Sequence, residues 1–475
     1  MGYPASRIGY CRARGLLPRI EANQDGETTV KLKTLTAGAG LLFLAVYGIA
    51  LTVPLWHAPR QDAAVNLRDA QLVQRGAAIA RQGDCVACHT APGGQPFAGG
   101  LAMQTPLGAI YSTNITPDPV TGIGRYSYGD FERAVRRGFR PDGTALYPAM
   151  PTPSYSVVSD EDMHALYAYF QTGVAAVHRE NTPGTIPWPL SMRWPLSLWH
   201  LAFGPSRQGF TPDPKASAEV NRGAYLVQGL GHCGACHTPR GVGFQEKALS
   251  LADGDAFLSG AVIDGWRAKS LRGEGTGLAT WSEDEIVDFL RTGRTGTVAA
   301  FGSMAEVIAH STQHFAPEDL RGIARYLKQQ PPSGGKPAER AAQPDATTDA
   351  LLEGRYASRG ALLYAEHCMA CHRPDGRGVA RIFPALAGNT AVTADNPQSL
   401  VQITLAGDRM PRTRHEPHAF AMPGFAALDD EDVAAVLGFI RTGWTNRAAP
   451  VATRDIADMR AFLARKTTVP NQIGN

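Results

Sequence analysis

Cysteine is scarce in this sequence, and none is left over for structural bridges. Seven of its 475 residues are cysteine; six fall in three short clusters and only Cys11 stands apart. An exported chain held by ordinary disulfides would need cysteine pairs outside such clusters. Basic excess is also missing. The net charge is +3, which gives no footprint for nucleic-acid binding. No G-x-G-x-x-G follows a strand and there is no P-loop, so nucleotide chemistry has no fingerprint here. Charge is absent altogether from Thr34 to Trp56, a run of 23 residues.

The clusters share one form. GDCVACHT spans 83–90, GHCGACHT 231–238 and EHCMACHR 366–373, three copies of C-x-x-C-H. A zinc site would need two cysteine pairs close together, whereas these lie more than a hundred residues apart. A thioredoxin-like pair would follow a strand and has no need of the adjacent histidine. Covalent attachment of c-type haem uses every residue of the motif. Two thiols add to the vinyl groups, and the histidine supplies an axial nitrogen. This assigns Cys85, Cys88, Cys233, Cys236, Cys368 and Cys371 to haem attachment, and His89, His237 and His372 to iron. Three covalently bound haem c groups are expected.

The second axial ligand in electron-transfer cytochromes is commonly a methionine thioether. LYPAMPTPSY offers Met150, AAFGSMAEV offers Met304 and FAMPGF offers Met422. Pro follows Met150 and Met422 directly and blocks helix continuation there. Met103 and Met410 are rivals in their segments; Met163 and Met459 fit helical patterns and read as core.

The repeat extends beyond the motifs. Each C-x-x-C-H closes an amphipathic segment carrying Arg-Gly-Ala, with glycines at 76, 223 and 360. Gly inside a helix costs roughly 1 kcal/mol against Ala, so its recurrence points to close helix contact. After each methionine come an acidic start and an apolar run: SDEDMHALYAYFQTG, APEDLRGIARYLKQQPP and DDEDVAAVLGFIRTG. Acids in a first turn suit the helix dipole, and Ser159 or Asp160 is placed to cap the first. A period of about 140 residues means three tandem domains rather than a solenoid.

This unit resembles the class I cytochrome c fold, and the whole order resembles the triheme cytochrome c subunits of membrane-bound periplasmic dehydrogenases. IYSTNITPDPVTGIG at 110–124, DGTALYPAMP at 142–151, IPWPLSMRWPLSLWH at 186–200 and FGSMAEVIAHSTQ at 301–313 carry the likeness, which covers roughly 65–445. Thr152 departs from it, standing where an aromatic residue is expected after Met-Pro. The resemblance implies an all-α fold with three tandem class I cytochrome c domains behind a transmembrane helix. It also implies a flavin- or quinone-dependent dehydrogenase large subunit as partner, a further small subunit, and ubiquinone or a terminal oxidase as acceptor.

The uncharged run is about 34 Å long as a helix, enough to cross a bilayer. Lys31 and Lys33 precede it. Positive residues stay on the cytoplasmic side, so the haem domains are expected in the periplasm, held to the inner membrane. A cleaved signal with a site near Gly48-Ile49-Ala50 is the rival reading. Residues 1–33 are expected as a cytoplasmic or mis-assigned N-terminus, with translation starting at Val30. The segments expected next are an anchor over 34–56, domains over 66–182, 205–330 and 350–446, and a Pro/Trp-rich connector over 183–204. A flexible linker over 331–349 and a tail over 447–475 complete the series. The connector reads as packed between domains or as a partner- or membrane-facing patch, and the tail as a surface-docked helix.

Three irons with both axial positions filled exchange electrons and hold no substrate, so catalysis is expected on a partner subunit. Two other readings stay open. One is a subunit of a haem–copper oxidase. The other is a peroxidase-like centre at an iron without methionine, with His415 and His418 as its bases.

Overall fold

The structure is a computed structural model. It describes residues 25–57, 64–205, 209–334 and 346–468, with the backbone alone over 25–34 and 467–468. Cys11 and most of the 331–349 linker fall outside what is described, and Val30 lies within the first helix.

The chain divides into two compact units between Thr52 and Val53. A helix runs Asp25–Trp56, with Pro54 in its last turn. Within Leu35–Trp56 its mean hydropathy reaches 2.0, and among the described residues it alone is long and apolar enough to cross a membrane.

The body from Val53 onward repeats one helix pair. Ala70–Gln82 pairs with Asp160–Ala168, Ala218–Tyr225 with Pro317–Lys328, and Arg359–His367 with Asp430–Thr442. The opening helices start at Asp69, Ser217 and Ser358, whose side chains cap their first turns. Ser159 and Asp429 cap two of the closing helices, and the other begins at Pro317, a favoured first position because proline has no N–H to satisfy. A turn of π-helix continues the first closing helix over Tyr169–Gly173 and the second opening helix over Leu226–Leu230.

The recurring glycine is where each pair crosses. A Cβ on Gly76 would lie 1.9 Å from the Ala165 carbonyl oxygen, on Gly223 1.9 Å from that of Gly322, and on Gly360 2.2 Å from that of Ala435. Only a residue without a side chain admits that approach. The arginine before each glycine ties the crossing from outside. Arg75 meets Asp162 at 2.6 Å, Arg222 meets Asp319 at 2.8 Å, and Arg359 meets Asp432 at 2.6 Å. Each arginine is substantially exposed, so each pair contributes at most about 1 kcal/mol.

Between the helices run long loops, and the body is not purely helical. The described residues include three two-stranded antiparallel hairpins, 102–111, 261–268 and 408–422. The first two helix pairs share one apolar core, from Ile79 and Phe131 through Leu226 to Leu327. The third pair has its own, built on Leu363, Tyr364, Val433 and Leu437. The tail forms a helix, Thr453–Thr468, whose Ile456 and Met459 enter that third core. Met163, like Met459, is fully buried, as a core residue should be. In the connector, Trp194–Phe203 is helical, with Ser197 and His200 buried against the first repeat.

Candidate functional site

The first C-x-x-C-H lies on a turn at Cys85–Cys88, directly after the opening helix. A cavity of about 660 Å³ opens beside it. Cys85, Cys88, His89 and Met150 all line it. Cys236 and His232 of the second motif segment reach the same cavity. Met103 and Met163 also border it, so the cavity by itself does not separate Met150 from Met103. Their backbones differ: Met103 sits in a strand opposite Ile110, while Met150 precedes Pro151 in an irregular loop.

Thr152, the departure from the family pattern, is buried at the start of a short helical turn. The aromatic anchor of this loop is Tyr155, whose hydroxyl donates to the Gly83 carbonyl at 2.8 Å. The loop is thereby fixed to the end of the opening helix, two residues before Cys85. Tyr155 also meets the His232 ring edge-on at 5.7 Å, which joins the first two motifs.

The three motif histidines share one arrangement. His89 Nδ1 lies 2.7 Å from the Thr113 carbonyl oxygen, His237 Nδ1 2.7 Å from that of Lys269, and His372 Nδ1 2.9 Å from that of Pro384. A carbonyl only accepts, so Nδ1 carries the proton and Nε2 keeps its lone pair. Orientation of a ligating imidazole through its other nitrogen is a general feature of metal sites. In the first two repeats the carbonyl comes just after a hairpin, beyond Tyr111 and Ala268. Burial lowers the pKa of all three rings, His237 down to about 4. They are neutral, as iron ligation requires.

Five of the six motif thiols are held in the opposite sense from redox cysteines. Burial pushes Cys85, Cys233 and Cys368 up to about 12 and Cys88 to about 11. Redox-active pairs depend on a lowered thiol pKa, so a thioredoxin-like role has no support here. Asp84, between the opening helix and Cys85, is also buried, and its carboxyl is raised to about 8.

The other methionines are placed less directly. Met304 is the second residue of the helix Ser303–His310. Gly302 packs on the Trp266 ring, and Trp266 belongs to the hairpin whose other strand contacts the Gly234–His237 turn. Met422 is half-buried in a strand opposite Asp408. Three residues on, the Phe425 ring lies 5.8 Å from that of His367, next to Cys368. Met410 is 4 % exposed. His415 lies 3.2 Å from Arg291 in the contact between the second and third repeats, and the His418 carbonyl accepts from buried Arg294 at 2.7 Å. The His415 ring is engaged there, whereas His418 takes part through its backbone and its side chain is exposed.

Sequence reasoning missed two sets of groups. The carbonyls of Thr113, Lys269 and Pro384 are backbone atoms and leave no residue-type signal. Asp408 accepts from the Gly302 amide at 2.7 Å through its carboxylate and pairs with Met422 through its backbone, so one residue touches both later methionine loops; the contact spans about a hundred residues of sequence.

The cytochrome c family model matches residues 357–444, the third helix pair with its motif. The chain is 52% identical over 397 residues to an alcohol dehydrogenase (quinone) cytochrome c subunit of Gluconacetobacter polyoxogenes, covering 82% of this chain and 85% of that protein. It belongs to the family of dehydrogenase cytochrome c subunits. A gluconate 2-dehydrogenase cytochrome c subunit of Pantoea cypripedii is 51% identical, with 82% and 89% covered. A fructose dehydrogenase cytochrome subunit of Gluconobacter japonicus is 36% identical, with 82% of each chain covered. As a cytochrome c, the chain carries covalently attached haem c and transfers electrons.

Proposed function

We propose that this chain is a three-haem electron relay. The observation that carries it is the triplicate of C-x-x-C-H motifs, each ending in a neutral histidine whose Nδ1 lies within 2.9 Å of a backbone carbonyl oxygen. Each haem, once bound, supplies a one-electron iron couple. Cys85 and Cys88, Cys233 and Cys236, and Cys368 and Cys371 hold the three groups at fixed positions. His89, His237 and His372 present Nε2 to iron. Met150, Met304 and Met422 would supply thioethers to the iron, and thioether ligation would raise the potentials. Cys88 and Cys236 border one cavity, which supports direct exchange between the first and second sites. The three helix-pair units act as tandem class I cytochrome c domains over about 66–182, 205–330 and 350–446.

The electrons come from a dehydrogenase subunit, as the names of the relatives suggest; that subunit is periplasmic and carries flavin or quinone, and the electrons leave to ubiquinone or a terminal oxidase. Leu35–Trp56 anchors the chain in the inner membrane with the body in the periplasm. Mild solubilisation from native membranes tests this. Three haems per chain, a co-migrating dehydrogenase, and reduction of the haem band by an alcohol, polyol or sugar acid are expected. Two haems or fewer would refute the relay as drawn. No reduction, with an oxidase travelling alongside, would refute the dehydrogenase assignment.

A further inference from the structure

The connector between the first two helix pairs lines the cavity beside Cys85 through Arg193, Trp199 and Phe203, and it also carries an exposed apolar surface. From Asn181 to Gly204 it has one formally charged residue, Arg193, and that guanidinium lies 3.9 Å from the centre of the Tyr147 ring. Part of the connector is packed inward through Ile186, Ser197 and His200. Elsewhere along it Trp188 is 80 % exposed, and Leu190, Met192 and Leu201 are exposed too. The Trp199 indole donates to the Gly243 carbonyl at 2.6 Å, which brings the loop of Val242 and Phe244 to the same helix; both of those are also exposed. Scattered apolar residues on a surface are ordinary, but a concentration of this kind marks a contact face.

The position of this face indicates what covers it. The apolar helix ends at Trp56, and its last turn is fixed to the same part of the body. Val53 is fully buried in a cluster with Phe139 and Ala145, against which the connector's Leu196 packs. The Pro54 carbonyl accepts from Arg133 Nη2 at 2.8 Å. His57 stacks on Phe139 at 5.3 Å. Where a membrane-crossing helix leaves the bilayer, whatever is bound to its last turn lies at the headgroup level. Tryptophan beside leucine and methionine, with almost no charge, is the composition that settles at that depth.

We propose that the face from Trp188 to Leu201, with Val242 and Phe244, lies on the phospholipid surface and holds the first helix pair against the membrane. This rests on the reading of Leu35–Trp56 as an anchor. The full haem-loaded chain, without its dehydrogenase, is placed in nanodiscs of phosphatidylethanolamine and phosphatidylglycerol. Hydroxyl-radical footprinting with mass spectrometry then reads Trp188, Met192 and Phe244, each rate normalised to the denatured chain. Tyr356, exposed on the third repeat, is the reference. Protection at least fivefold greater than at Tyr356 is expected. A chain in the discs with Trp188 oxidised as fast as Tyr356 overturns the proposal alone. Protection that appears only when the dehydrogenase is added overturns it in favour of a protein interface. A chain that elutes apart from the discs overturns the anchor and this proposal together.

Discussion

Replacing Gly360 by alanine isolates the reason for the repeated glycine. In an unconstrained helix the change stabilises by about 1 kcal/mol. Here the new methyl would lie 2.2 Å from the Ala435 carbonyl oxygen and 2.9 Å from Phe439 Cβ. The first contact is backbone in the middle of a helix, so it has no rotamer to escape into. Ordinary contact distance needs the helices to part by roughly 1 Å or more. Parting them loosens Tyr364 from Phe439 and Trp444, whose ring centres lie 5.4 and 5.3 Å away, and strains the Arg359–Asp432 pair. Overpacking of this kind costs about 1–3 kcal/mol and the aromatic contacts about 1 kcal/mol more. Against the propensity gain the net loss is about 2 kcal/mol. Gly438 provides the control in the closing helix of the same pair, since a Cβ there meets only Pro450 at 3.7 Å. Urea unfolding followed at the haem band and in near-ultraviolet circular dichroism should show Gly360→Ala destabilised and Gly438→Ala unchanged or stabilised. Equal behaviour of the two variants would refute the close-crossing argument.

Three further outcomes are expected. Met150→Leu should remove one sulfur-to-iron charge-transfer band and lower one of the haem potentials in a redox titration, because thioether ligation raises the potential; Met103→Leu should do neither, and the reverse result would exchange their roles. Asp408→Ala leaves the Gly302 amide without its 2.7 Å acceptor and should cost about 1–3 kcal/mol. Hydrogen exchange would show it as faster exchange at Gly302, and unchanged exchange there would contradict the bridging role. Asp118 is held down to about 2, chiefly by the Thr121 amide and further by the Thr121 hydroxyl and the Val120 amide. A depressed folded-state pKa gives stability that is present above the ordinary carboxylate value near 4 and is lost as pH falls through about 2. The stability gap between the native chain and Asp118→Asn should therefore close across that window; a gap independent of pH would refute the assignment.

The parts legible in the sequence are those carried by local spacing. C-x-x-C-H is complete within five residues, so haem attachment needs no tertiary information. The capped starts at Ser159 and Asp429 and the apolar run ending at Trp56 are likewise local, since caps, dipoles and hydropathy act within a turn or along one helix. The glycines at 76, 223 and 360 form an intermediate case. Their recurrence signals a crossing, but the crossing partners Ala165, Gly322 and Ala435 emerge only once two helices about 75–100 residues apart are packed together.

Tertiary structure alone decided the rest. Which carbonyl orients each histidine depends on where a hairpin or loop returns to the motif, and every residue offers the same carbonyl. Tyr155 is the aromatic anchor in place of position 152 because its hydroxyl meets the Gly83 carbonyl 72 residues earlier in the chain. The sharing of one core by the first two helix pairs, and the link that Asp408 makes between two methionine loops, arise from surfaces that meet after each pair has formed. The sequence by itself determined the redox chemistry, because covalent attachment is written in adjacent residues; the arrangement of the three sites relative to one another is set by long-range contacts, whose partners local spacing does not reveal.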